Sequence, residues 1–141
     1  MPGKLNNYQK KNKRSNGQSL VEFALVLPIL LLLILGAMDL GRMFYIKVVL
    51  TNAAREGANH LANFKRDDDA GALLAIKNEA SSSNVEVVDS EVTISSLREP
   101  GEPVEVSITK EVDLIFDGIL QSLGLIGGPL QLTSAIQMVV Q

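Results

Sequence analysis

The fold is decided by residues 20–40, which read LVEFALVLPILLLLILGAMDL. No charged residue occurs from Phe23 to Met38, and Glu22 and Asp39 bracket this run. As a helix, residues 20–40 extend about 31 Å at ~1.5 Å per residue, which matches a hydrocarbon core of roughly 30 Å. The alternative is a buried helix of a soluble domain, but the rest of the chain is too small to enclose it. We therefore predict a membrane-spanning helix.

The charge distribution indicates how this helix is oriented. Residues 1–17 contain five basic side chains and no acidic one: Lys4, Lys10, Lys11, Lys13 and Arg14. By the positive-inside rule we predict that residues 1–17 are a basic cytoplasmic leader and that residues 65–141 face outward. Without the leader the chain has 8 basic and 16 acidic residues, so its net charge would change from -3 to -8. This acidic body gives no reason to expect nucleic-acid binding.

A cleaved secretory signal is a second explanation for a basic segment followed by an apolar one. However, the apolar run is long, and residues 36–39 (GAMD) match the small-residue cleavage site poorly. We therefore predict that the apolar segment is retained as an anchor. Glu22 is then an ionisable group within the anchor. It either marks the helix start at the headgroup level or pairs with a positive group of another subunit.

The helix is predicted to continue beyond the membrane, over residues 18–64, which gives a length of about 70 Å. Pro28 removes one backbone hydrogen bond and should kink the helix or loosen one turn. Small residues recur at or beside a four-residue spacing: Ala37, Gly41, Ala54, Gly57 and Ala58. Small side chains let helices approach closely, so these residues could pack on the chain's own sheet or on neighbouring subunits.

The C-terminal part is predicted to be a small extracytoplasmic domain over residues 65–141. Asp69 can cap a short helix over residues 70–80, and residues 81–84 are predicted to form a loop. Period-2 alternation predicts strands around residues 88–94, 104–116 and 130–140, with a Pro100-Gly101 turn between the first two and a helical turn possible over residues 117–123. The predicted class is α+β: a long N-terminal transmembrane and amphipathic helix packed on a small antiparallel sheet of three or four strands, with one short helix.

No residue pattern indicates catalysis, a cofactor or a metal. His60 is the only histidine, and there is no cysteine, so a disulfide and a cysteine metal site are excluded. Asp67, Asp68 and Asp69 lack the alternating ligands and the glycine of a calcium-binding loop. No phosphate-binding, dinucleotide-binding or nucleophile-elbow motif occurs. We predict that the protein is not an enzyme.

Three sequence blocks resemble one known family. Residues 16–23 (NGQSLVEF) resemble the processing site of type IV prepilins, in which a peptidase cuts after a glycine and a glutamate stands fifth after the cut. Residues 17–28 (GQSLVEFALVLP), 39–42 (DLGR) and 51–58 (TNAAREGA) together resemble the TadE-like family. The three blocks occur in order over residues 16–62, which makes them a much more specific signal than the glycine and glutamate alone.

This resemblance implies a subunit of a tight-adherence (Tad) pilus or related secretion system. Gly17 and Gln18 would form the processing site for a membrane-embedded prepilin peptidase, and Glu22 would pair with the new amino terminus of a neighbour. Gln18 departs from the phenylalanine of major pilins, which favours a minor pilin or pseudopilin and leaves filament formation by this chain open. The resemblance also suggests four polar residues as candidates for inter-subunit contacts: Asp39, Arg42, Arg55 and Glu56.

The expected partners are the prepilin peptidase, other pilin-like subunits, the pilus assembly platform and the membrane. The expected location is the bacterial cytoplasmic (inner) membrane, with the N-terminus in the cytoplasm, and the cell-surface pilus after assembly. The alternative function is a membrane-tethered extracytoplasmic binding module that never polymerises. Such a tether needs neither Gly17 nor Glu22, so the presence of both at the family's spacing favours the pilin-like function.

Overall fold

The structure is a computed structural model that describes residues 15–63, 67–95, 101–115, 117–122, 124 and 129–139. Most of the predicted leader, Pro100 of the predicted turn, and Phe116 and Val140 of the predicted strands lie outside the described residues. The described part contains one long helix, shorter helices and a three-stranded antiparallel sheet, which confirms the predicted α+β class.

Helix α1 spans Ser15–Asn63 and is the longest element. Its 49 residues correspond to about 74 Å at ~1.5 Å per residue. The helix begins three residues before Gln18 and ends one residue before the predicted end at position 64. Pro28 lies inside it, and the helix continues through this position without a break. Proline has no backbone N–H, so the turn that contains Pro28 lacks one helical hydrogen bond.

Helix α2, Asp69–Ser82, packs antiparallel to the outer part of α1. The side chain of Asp68 caps it by accepting a hydrogen bond from the Gly71 backbone N–H at 2.9 Å, so the prediction that Asp69 is the cap was wrong by one residue. The predicted end at residue 80 was also wrong. The helix runs to Ser82 because the hydroxyls of Ser81 and Ser82 donate to main-chain carbonyls of the preceding turn, at 3.0 and 2.7 Å.

The sheet consists of β1 (Val92–Ile94), β2 (Pro103–Val112) and β3 (Leu130–Val139), in the order β1-β2-β3 with both pairs antiparallel. Helix α3, Asp117–Ser122, lies in the connection between β2 and β3, where the sequence predicted a helical turn. Gly101 has a φ of 87°, which fits the third residue of a type II turn and favours glycine. The three strands and their antiparallel arrangement, which the strand alternation and the turns predicted, are therefore confirmed.

Two strands are shorter than predicted, and in each case a hydrogen bond to a side-chain carboxylate accompanies the departure of the chain from the sheet. Residues 89–91 form a 3-10 turn in which the Glu91 carboxylate accepts from the Val88 backbone N–H at 3.0 Å, so β1 does not begin until Val92. Strand β2 was expected to include Leu114, yet it ends at Val112. The next turn of chain lies against α1, where the Ile115 N–H donates to Asp39.

The hydrophobic core lies where α1 contacts both α2 and the sheet. From β2, Val104, Val106 and Ile108 are fully buried, while the intervening residues are half-exposed. The β3 side chains that face the core are half-buried, except for Ser134, which is buried and lies 2.8 Å from the Thr51 hydroxyl of α1. Packing of one sheet face on the long helix is therefore confirmed.

Candidate functional site: the exposed half of the long helix

The N-terminal end of α1 carries the predicted processing and pairing residues. Gly17, Gln18 and Glu22 are all helical and exposed. The Gln18 side-chain amide donates to a Glu22 carboxylate oxygen at 3.1 Å, one turn apart on the same face. A Cβ at Gly17 would meet no other atom within 4 Å. The fold of this chain therefore does not require glycine at position 17.

The apolar segment of α1 makes no part of the protein's core. Of the described helices, α1 alone is long and apolar enough to cross a membrane, and none of its most apolar window is buried. The exposed large side chains of this segment, over positions 20–34, are Leu20, Val21, Phe23, Leu25, Val26, Leu27, Ile29, Leu30, Leu31, Leu32, Leu33 and Ile34. So much apolar surface is unstable in water and needs lipid or protein around it.

The small residues divide into two groups with different surroundings. Ala37 and Gly41 are exposed, and a Cβ at Gly41 would meet nothing within 4 Å. Ala54 and Ala58 are fully buried, and a Cβ at Gly57 would lie 2.6 Å from Ile76 of α2. Ala54, Gly57 and Ala58 therefore serve packing within the chain, whereas Ala37 and Gly41 leave a smooth exposed surface on the helix. The sequence left these two uses open, and the structure separates them.

Asp39 joins the apolar segment to the folded domain. Its side chain is only 2% exposed, and it accepts a hydrogen bond at 2.9 Å from the backbone N–H of Ile115, 76 residues later in the chain. Three residues further along α1, the guanidinium of Arg42 donates to the Asp113 carbonyl at 3.3 Å. The sequence predicted Asp39 and Arg42 as candidates for contacts between subunits, but it did not predict this junction, because nothing local marks Ile115 as a partner.

We expect Asp39→Ala to lower the free energy of unfolding by about 1–3 kcal/mol, because it leaves the Ile115 N–H without this acceptor. Asp39→Asn, which keeps a side-chain oxygen, should lose less. Asp113→Ala removes an exposed carboxylate from the same turn and should change stability by no more than about 0.5 kcal/mol. Chemical denaturation of the full chain in detergent measures all three variants. An Asp39→Ala protein as stable as wild type would contradict a structural role for this bond.

The two remaining polar candidates on α1 are Arg55 and Glu56. Both side chains are exposed on the outer half of the helix, and neither forms an ion pair with another described residue. Two polar residues earlier on the same helix differ from them. Tyr45 donates to the Ser83 carbonyl, and Lys47 donates to the Thr133 carbonyl. Contacts of Arg55 and Glu56 with another subunit stay a prediction.

His60 and the acidic residues near it have a role in the fold. The His60 ring lies 3.4 Å from one carboxylate oxygen of Asp68, and the other oxygen of Asp68 caps α2. Among the described residues, no group of three or more His, Asp or Glu side chains is placed to hold a metal ion. The predictions that the protein uses no metal and is not an enzyme stay predictions.

The fold and these contacts define the class of protein: an α+β domain joined without a spacer to an exposed apolar helix that is long enough to cross a membrane. Residues 17–59 match the family model described as TadE-like protein. This match covers slightly under a third of the 141 residues and lies entirely within α1. It confirms the family resemblance that the three sequence blocks indicated. Residues 17–59 are therefore similar to TadE-like proteins, and this similarity suggests a pilin-like protein associated with the Tad pilus.

No curated protein and no solved structure matches the chain significantly. The family match ends at residue 59, four residues before the end of α1, and it does not include the sheet domain.

Proposed function

We propose that the chain is a minor pilin or pseudopilin of a Tad-type pilus or secretion system, trimmed after Gly17 and assembled through α1. The observation that carries this proposal is the coincidence of three properties in one segment. Residues 17–59 match the TadE-like family, they lie in one continuous helix, and none of the most apolar window of that helix is buried. An apolar helical segment that makes no part of its own chain's core is suited to exchange lipid contacts for contacts with other subunits.

The proposed assembly surface is one face of α1 beyond the most apolar segment. Ala37, Gly41, Phe44 and Val48 follow each other at four-, three- and four-residue spacing, and Leu40 lies three residues after Ala37, so all five share one side of the helix. All five are exposed, and they lie opposite the buried residues that contact the domain. The small pair Ala37 and Gly41 supports close approach of another helix, and the larger side chains supply apolar area to bury.

The proposed location is the bacterial cytoplasmic membrane, with the N-terminus in the cytoplasm before assembly. The five basic residues before the span support this orientation. The proposed partners are the prepilin peptidase at Gly17, the assembly platform and other pilin-like subunits. We propose a structural role without a chemical reaction of its own, because assembly needs only cleavage by the peptidase and packing of helices.

Intact-mass and N-terminal analysis of the protein from its native cell tests this proposal. We expect the mature chain to begin at Gln18, with the mass of residues 1–17 missing. A chain that begins at Met1 in cells with an active peptidase would overturn the proposal and favour a tether that never polymerises. Cross-linking within isolated pili should also recover the chain in contact with another pilin-like subunit.

A further inference from the structure

We propose that the turn at residues 113–115 is a second membrane-contacting element, which rests on the bilayer surface beside α1 and places the sheet domain directly on the lipid. This inference rests on membrane anchoring by α1, a part of the proposed function. It concerns a different segment of the chain, outside the residues that match the family.

The first argument is the position of the turn relative to the outer boundary of the hydrocarbon core. If residues 20–40 fill a hydrocarbon core of roughly 30 Å, Asp39 lies at the outer boundary of that core. The Ile115 N–H is 2.9 Å from the Asp39 carboxylate, so the backbone of the turn lies at the same boundary. The Arg42 contact with the Asp113 carbonyl fixes the turn from a second point, one helical turn further out.

The second argument is the chemistry at this end of the domain. The Ile115 side chain is 54% exposed, although its backbone is held against α1. Leu130 pairs with Val112 at the same end of the sheet and is also exposed. Leu40, which follows Asp39 on α1, presents further exposed apolar surface at this level. Apolar side chains placed in this way enter the boundary between headgroups and acyl chains, whereas in water they would cost free energy.

The third argument is the burial of Asp39 itself. An ionisable side chain at the edge of the hydrocarbon is costly unless protein or water satisfies it. Here the side chain is 2% exposed before any lipid is added, because the turn covers it and supplies a backbone donor. The turn thus allows the apolar span to end at a carboxylate without presenting that carboxylate to lipid.

The other end of the domain provides the comparison. Val139 is 62% exposed and pairs with Pro103, nine residues along β3 from Leu130. Nine residues of strand correspond to about 30 Å. Exposed apolar residues at the two ends therefore differ clearly in their expected distance from the bilayer, although they resemble each other in exposure.

Site-specific fluorescence tests the proposal, because the chain contains no cysteine and a single introduced thiol is labelled uniquely. We would place Ile115→Cys, Val139→Cys and Leu31→Cys in the full, untrimmed chain, label each with an environment-sensitive dye, and reconstitute them in neutral phosphatidylcholine vesicles. We expect the dyes at positions 31 and 115 to be quenched by spin-labelled lipid and protected from aqueous iodide. The dye at position 139 should be quenched by iodide.

Iodide quenching at position 115 equal to that at 139, with position 31 still in lipid, would overturn the inference and leave anchoring intact. Iodide quenching at position 31 would overturn anchoring, and the inference with it. If Ile115→Cys does not fold, as judged by its circular dichroism, Leu130→Cys provides the same measurement at the same end of the sheet, with the same expected and contradicting results.

Discussion

Replacing Gly17 with leucine should abolish trimming while the chain still folds and inserts in the membrane. A Cβ at this position would meet no other atom within 4 Å, so the larger side chain has space in the chain itself. The requirement for glycine would then come from the peptidase, whose active site must approach the backbone at this bond. We expect no detectable trimmed product for Gly17→Leu by intact mass, and a normal yield of membrane-inserted precursor.

Gly36→Leu is the matched control, because Gly36 is another glycine of α1 whose Cβ position is open. This variant should be trimmed as efficiently as wild type, although its changed helix surface could alter later assembly. Loss of trimming in both variants would indicate a general effect on insertion. Normal trimming of Gly17→Leu would mean that the peptidase does not cut at this position.

Replacing Glu22 with glutamine should block assembly while leaving insertion, trimming and folding unchanged. Within the chain, Glu22 is exposed and bonds to the Gln18 side chain across one helical turn, an interaction that contributes little to stability. In an assembly, its carboxylate would pair with the amino terminus of a neighbour in a medium of low dielectric constant. Removing one partner of a buried pair costs about 3–5 kcal/mol, which corresponds to at least about a 100-fold loss of assembly.

Glutamine keeps the size of the side chain and an oxygen acceptor, so this variant tests the charge alone. Glu102→Gln makes the same change at an exposed residue beside the β1–β2 turn and should assemble normally. Quantification of sheared surface pili, with intact-mass analysis of the membrane fraction, separates an assembly defect from a trimming defect. Pili from the Glu22→Gln strain at wild-type yield would contradict the pairing role.

Much of the fold could be predicted because its signals are local. The uncharged run between Glu22 and Asp39 predicted the apolar helix, and the alternation of Val104, Val106 and Ile108 predicted a strand with one buried face. The three family blocks lie within one helix, so their spacing in sequence directly gives their spacing in space. Strand ends and helix caps were predicted less well. They depend on single hydrogen bonds, such as those of Asp68 and Glu91, for which neighbouring residues compete.

The candidate site likewise contains residues that local sequence signals predicted and contacts that they did not. Gly17, Gln18 and Glu22 could be proposed from the sequence because they match a linear motif, whose residues lie close together in the chain. The junction between Asp39 and Ile115 could not, because it joins residues far apart in the chain through one side-chain oxygen and one backbone N–H. Alternation in the sequence continued through Leu114, and only the contact with α1 explains why the strand stops.

The sequence by itself determined that the chain has an apolar helix of membrane-spanning length, a basic segment before it and a small alternating domain after it, since hydropathy and charge act residue by residue. Only the tertiary structure decided which small residues of α1 are already used. Gly57 and Ala58 are closed off by α2 and the core, whereas Ala37 and Gly41 stay exposed. The physical reason is that close packing depends on which surfaces meet, and identical small side chains carry no information about their partner.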